Sequence, residues 1–241
     1  MSNNHKNIWT DKDVERHWDS VASIYIKENN KVKEVHNQRF IETIQYLNIQ
    51  QNSKVINISS RDCEANDYVK KVSKSAYVIN AEISTGLMQQ ATKLRPYVNQ
   101  IKIDTYSELQ FESNYFDRVV TLETLEHVQD PISFLSELFR ISTQDAIMVL
   151  SCPPPTSEIP YKIYSFFLGG HGEGPHRFLP SSEVKIMLKK TGWKLLLHKG
   201  TILFPVGPSK IQQFGEKIIN CFQNSFISEL GIRQFYVCKK Y

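Results

Sequence analysis

The sequence predicts a doubly wound α/β fold, in which helices cover a mainly parallel, seven-stranded sheet that follows a pair of N-terminal helices. Three observations predict it. From Lys54 onward short apolar runs alternate with helix-length stretches, the pattern of βαβ units. The 241 residues, 41% hydrophobic and 22% charged, suffice for a sizeable core and commonly form one domain in such folds. Polar residues able to do chemistry follow directly on the apolar runs, where a sheet of this kind binds its ligands.

The elements can be justified in order. Residues 11–30 and 31–47 read as helices, with Trp18, Val21, Ala22 and Tyr25 spaced to share one face of the first. Strands are expected over 54–59, 76–82, 99–103, 116–121 and 146–151, and helices over 65–72, 85–93 and 132–141. Asp130 is placed to cap the last of these helices, with Pro131 at its first position. Gly and Pro then gather between Cys152 and Pro180. Pro180, Ser181 and Ser182 announce a helix over 181–191, and apolar runs at 193–197 and 235–238 bring the strands to seven. The expected organisation is a single domain over 1–241, with 1–50 as a helical cap and 152–180 as a loop or lid on the substrate side.

Composition narrows the function. A net charge of +4 is too mild for the basic footprint of a nucleic-acid binder. Cys63, Cys152, Cys221 and Cys238 form no C-x-x-C pair, so neither a zinc site nor a disulfide framework is indicated. The polar residues 1–7 lack the pattern of a secretory or transit signal, and no apolar run is long enough to cross a bilayer, so a cytoplasmic protein is expected. No metal is implied, and the oligomeric state is left open.

Four strand ends carry candidate site residues. The first is Val55-Ile56-Asn57-Ile58-Ser59-Ser60-Arg61-Asp62-Cys63, where a nucleotide-binding turn would have glycines to let the backbone approach its ligand. Ser59 and Ser60 could form a reduced cradle, while Arg61 brings a long side chain into the space of a cofactor; an ordinary strand-to-helix turn is the equal alternative. The second is Glu82, able to accept two hydrogen bonds from ribose hydroxyls or to be a surface carboxylate. The third is Asp104, able to accept from an adenine amine or to stabilise a turn. The fourth runs from Phe116 to Pro131 and sets Glu123, Glu126 and His127 where a cofactor and substrate would meet. His127 can exchange a proton near neutral pH, and a structural role for Glu126 and His127 is the competing reading.

Together these segments resemble the class I S-adenosylmethionine-dependent methyltransferases, especially the small-molecule group called type 11. Phe116-Asp117-Arg118-Val119 resembles the family's F-D-x-V strand, Leu125-Glu126-His127-Val128-Gln129-Asp130-Pro131 its L-E-H-V-x-D-P, and Glu137-Leu138-Phe139-Arg140 its E-L-x-R. His176-Arg177-Phe178 before the 181–191 helix, and Gly192-Trp193 after it, are similar to the late H-R-F turn and G-F strand start. Trp18-Asp19-Ser20-Val21-Ala22-Ser23-Ile24-Tyr25 is similar to the opening W-D-x-x-A-x-x-Y that folds over the cofactor. The resemblance implies a Rossmann-like fold and S-adenosylmethionine as cofactor. It puts Glu82 on the ribose, Asp104 on the adenine amine, Leu122 near the sulfonium, and Tyr25 over the site. The sequence departs from the family's V-L-D-x-G-C-G-x-G, in which the acid and all three glycines are replaced, and Ser142-Thr143-Gln144-Asp145 stands in place of a Gly-Gly turn.

Methyl transfer asks mainly that donor and acceptor be brought into line, although an oxygen acceptor would use a base. His127, His171 and His176 are candidates for that base. His171 and His176 lie in Gly169-Gly170-His171-Gly172-Glu173-Gly174-Pro175-His176-Arg177, which reads as a lid or as a plain surface loop. Tyr161, Tyr164, Phe166 and Phe167 could line an acceptor pocket or a core, and Arg177 could pair with an acidic group of the substrate. The expected function is methyl transfer to a small molecule, with a sugar or lipid-linked intermediate among the candidates. The rival is a relative that keeps the sheet as a binding module after losing its cofactor. A nicotinamide dehydrogenase is disfavoured by the missing glycine fingerprint.

Overall fold

The computed structural model describes residues 9–31, 33–158, 174–203, 209–223 and 225–241. Two helices come first, α1 (Asp11–Lys31) and α2 (Lys33–Leu47). The chain then runs β1 (Lys54–Ile58), α3 (Glu64–Val72), β2 (Tyr77–Glu82), α4 (Thr85–Leu94), β3 (Asn99–Lys102), β4 (Phe116–Leu122), α5 (Pro131–Ile141) and β5 (Ser142–Cys152). Further along the chain come α6 (Ser181–Lys190), β6 (Trp193–Thr201), α7 (Ser209–Cys221) and β7 (Arg233–Lys240).

The strands form one seven-stranded sheet in the order β3-β2-β1-β4-β5-β7-β6. Strands β1 to β5 are parallel, and β7 runs antiparallel to both β5 and β6. This is the doubly wound, mainly parallel fold that the sequence predicts. Its central strands are apolar on both sides because both faces are covered. Ile56, Ile58, Val119, Met148 and Leu150 pack with α1, α4, α5 and α6, while Val55, Val78, Val120 and Val149 pack with α2 and α3. The two N-terminal helices therefore serve opposite faces. Strand order reverses between β1 and β4, so the ligand-binding crevice of this topology opens at the carboxyl ends of these two strands.

Element boundaries differ from expectation in two instructive places. Strand β5 begins at Ser142, immediately after α5, and not at residue 146. Its register jumps from Phe116↔Ser142 to Arg118↔Ile147, and Asp145 takes a left-handed φ of 63° within that irregularity. Residues 142–145, which stand in place of the family's Gly-Gly turn, are extended strand with a bulge. Helix α7 has no counterpart in the sequence reading; its apolar residues include Ile211 and Phe214, which are exposed, and Ile219, which is buried. Of the expected 152–180 lid, residues 159–173 lie outside the described residues, and the part before them holds a single 3-10 turn at Pro155–Ser157. Among the described residues no helix is long and apolar enough to cross a membrane.

Candidate active site

The loop between β1 and α3 has lost its glycines and kept their backbone. Ser59, Arg61 and Cys63 stand where the resemblance places three glycines, and all three adopt left-handed φ values, 54°, 53° and 62°. An L-residue in this region costs about 1–2 kcal/mol, because Cβ crowds the following carbonyl. Surrounding bonds hold it there. Ser60 N–H donates to Ala81 O at 3.1 Å, and Cys63 N–H to Ser60 O at 2.8 Å.

Glu82 is the centre of this arrangement. It ends β2, is fully buried, and its Oε2 accepts the Arg61 N–H at 2.7 Å. Its Oε1 accepts the N–H groups of Ile83 and Ser84, each at 2.9 Å, and the Arg61 Nη1 stands 3.8 Å away. Three backbone N–H groups thus converge on one carboxylate.

Above Glu82 the Arg61 guanidinium lies 3.8 Å from the Trp18 ring centroid. Both residues are buried. Trp18 meets Tyr25 edge-on at 6.0 Å and His127 at 5.6 Å. Ser59 Oγ shares a 3.0 Å hydrogen bond with the phenol of Tyr106, which burial in the core pushes well above its ordinary pKa. Burial likewise pushes the Cys63 thiol up to about 12, so it is protonated and no nucleophile at neutral pH.

Helix α1 is strapped across this edge by two carboxylates. Asp11 Oδ2 accepts from Thr105 Oγ1 at 2.6 Å and from the Tyr106 N–H at 2.9 Å. Asp19 Oδ1 accepts from Ser84 Oγ at 2.7 Å and from the Gly86 N–H at 2.8 Å, at the start of α4. Gly86 is needed here, since a Cβ would stand 2.9 Å from that of Ala22. Trp9, just before the helix, donates its indole N–H to His127 O at 2.8 Å.

The loop after β4 keeps the family's letters and uses them internally. His127 Nδ1 lies 2.9 Å from Pro175 O, an acceptor only, so this nitrogen carries the proton. Burial above all, with the Arg61 charge next, holds His127 down to about 3, which makes it a poor proton acceptor at neutral pH and gives it a structural task here. His176 bonds Gly174 O through Nδ1 and sits 6.3 Å from the His127 ring. Arg177 donates its backbone N–H to Glu126 O at 3.0 Å and its guanidinium to Val128 O, and lies over Trp9. Leu122 is buried in the apolar cluster on the α2 side of the sheet. Glu123, with φ 51°, accepts from Ser151 Oγ at 2.6 Å and from Arg233 Nε at 3.2 Å.

The structure thus brings Tyr25, Ser59, Arg61, Glu82 and His127 to one edge, with His176 beside His127. It leaves Asp104 apart: that side chain is 79% exposed and 3.7 Å from Lys102. Tyr164 and His171 lie outside the described residues. The sequence reading did not single out Tyr106, Asp11 or Asp19. Asp19 carried a signal in the W-D-x-x-A-x-x-Y stretch; Tyr106 carried only its place two residues after Asp104.

Residues 62–150 match the family model described as a methyltransferase domain. The match begins at Asp62, past the altered loop positions 59–61. Solved structures of the same shape include a complex of the Haloferax volcanii Trm112 methyltransferase activator with a putative methyltransferase. There the TM-score is 0.71 at 10% identity, over 92% of this chain and 96% of that one. A possible histamine N-methyltransferase from Thermotoga maritima gives 0.66 at 17% identity, over 95% and 100%. The [4+2]-cyclase SpnF gives 0.68 at 10%, over 96% of each chain. The chain has the class I methyltransferase fold. No curated protein matches it.

The cofactor this fold implies is S-adenosylmethionine, and the methyltransferase-fold site can be tested for it. The backbone path fits; the side chains, as arranged, do not. The oxygens of Glu82 are taken by backbone donors, the Ser59 hydroxyl by Tyr106, and Arg61 lies on Trp18 across the loop. Asp104 is turned to solvent.

Proposed function

We propose that the chain is an S-adenosylmethionine-dependent methyltransferase acting on a small molecule. One observation carries the reading: the first loop follows the ligand-cradling path at Ser59, Arg61 and Cys63 without the glycines that make it easy, with a carboxylate at the end of β2. That combination is the one a nucleoside requires. A small acceptor is supported by the Thermotoga maritima match and by a Haemonchus contortus phosphoethanolamine N-methyltransferase (TM-score 0.61, 14% identity, over 84% of this chain and 52% of that one), which was solved with S-adenosylhomocysteine. Sugars and lipid-linked intermediates belong to the same proposal. The SpnF match is a reminder that this fold also carries other chemistry, so the donor must be tested directly.

The second reading, a binding module without cofactor, is favoured by Arg61 lying on Trp18 above a saturated Glu82. Calorimetric titration with S-adenosylmethionine and S-adenosylhomocysteine separates the two. Binding of either ligand that weakens at least tenfold in Glu82→Gln supports the methyltransferase. Absence of binding, in wild type and in variants with glycine restored to the loop, supports the module.

A further inference from the structure

Resting on the methyltransferase reading, we propose that Arg61 and Trp18 form a plug that closes the donor site of the free protein, so that the cofactor enters only when the two side chains part. The geometry has three components. Arg61 is only 8% exposed, and its guanidinium lies face-on to Trp18 at 3.8 Å. Its Nη1 makes no hydrogen bond and stands 3.8 Å from Glu82 Oε1, so the charge is held over the strand-end carboxylate by attraction and stacking alone. Trp18 cannot drift away, because α1 is fastened on both sides of it, by Asp11 to the loop after β3 and by Asp19 to the start of α4.

The plug lies at the carboxyl ends of β1 and β2, beside the β1/β4 switch point. A nucleoside approaching Glu82 must displace the guanidinium, and a ligand bearing a sulfonium meets a like charge there. A cation over an indole face shielded from water is among the stronger contacts of its kind, so opening the plug subtracts from whatever affinity the loop provides. Cofactor affinity in wild type is therefore the intrinsic affinity of the loop reduced by the fraction of molecules that are open.

The test is calorimetric titration of S-adenosylmethionine and S-adenosylhomocysteine into wild type, Arg61→Gly, Trp18→Ala and the triple variant Ser59→Gly, Arg61→Gly, Cys63→Gly, each first shown to be folded by circular dichroism. At least tenfold tighter binding of either ligand to Arg61→Gly or Trp18→Ala than to wild type is the expected result. Binding to wild type that neither variant improves overturns the plug and leaves the methyltransferase reading standing. Failure of every variant, the glycine-restored one included, overturns both.

Discussion

The loops after β1 and after β4 meet at one edge of the sheet and stand in opposite relations to their residues. After β1 the letters have changed and the backbone has not: Ser59, Arg61 and Cys63 trace a glycine path. After β4 the letters match the family, but the side chains are turned to the loop's own backbone, His127 toward Pro175 and Arg177 toward Val128. The difference teaches that a backbone path is set by the elements on either side of it, whereas a motif residue acquires a role only from what its side chain can still reach.

The largest effect should come from the carboxylate that holds the first loop. Glu82→Leu removes the acceptor of three backbone N–H groups and leaves the Arg61 charge buried without its partner, which should cost about 3–5 kcal/mol of stability. Urea unfolding gives the value, and adding Arg61→Leu should recover part of the loss. A cost under about 1 kcal/mol would show that strand geometry alone holds the loop, and the comparison between the two loops would lose its physical basis.

Much of this was legible in the sequence. The alternation from Lys54 to Cys152 reflects burial of both sheet faces, which any βαβ sheet demands of its strands, and the Asp130-Pro131 cap marks the start of α5 because Asp130 accepts from the Ile132 and Ser133 N–H groups. Helix α7 was missed although Ile211, Phe214, Ile218 and Ile219 recur at helical spacing, so that signal was present in the sequence. In the site, Glu82 and Arg61 could be singled out by position. That they face each other could not, since it depends on the rotamer of Arg61 and on α1 bringing Trp18 over it from more than 40 residues earlier in the chain. Asp104 shows the same limit from the other side, being at the expected strand end with its carboxylate in solvent.

The loop after β4 makes a middling prediction. Burial lowers His127 to about 3, against an unfolded value near 6.5, so between these limits the unfolded chain binds a proton that the folded one refuses. Stability from this group is complete above about pH 6.5 and is lost as the pH falls, by about 2 kcal/mol at pH 5. His36 and His198, both lowered by burial first, act in the same direction. Urea unfolding at pH 7 and pH 5 should therefore show a steep loss in wild type and a shallower one in His127→Gln. Equal slopes would mean that His127 binds its proton alike in the folded and unfolded chain, and so could exchange one near neutral pH as a catalytic base must.

The smallest effect sharpens what left-handed residues cost here. Asp145 at φ 63° is the exposed counterpart of Arg61, with its carboxylate 66% open to solvent and paired to Lys239. Asp145→Gly relieves the backbone and sacrifices only that solvated pair, so it should stabilise the protein by up to about 1 kcal/mol. Arg61→Gly relieves the same kind of strain but also gives up the stack on Trp18 and the charge over Glu82, so its stability should fall or stay level. A rise in Tm for the first variant together with none for the second would show that the first loop keeps its path because buried side chains hold it. If both rise alike, Arg61 contributes no more to the fold than an exposed turn residue, and the plug must be weak enough for cofactor to displace it at little cost.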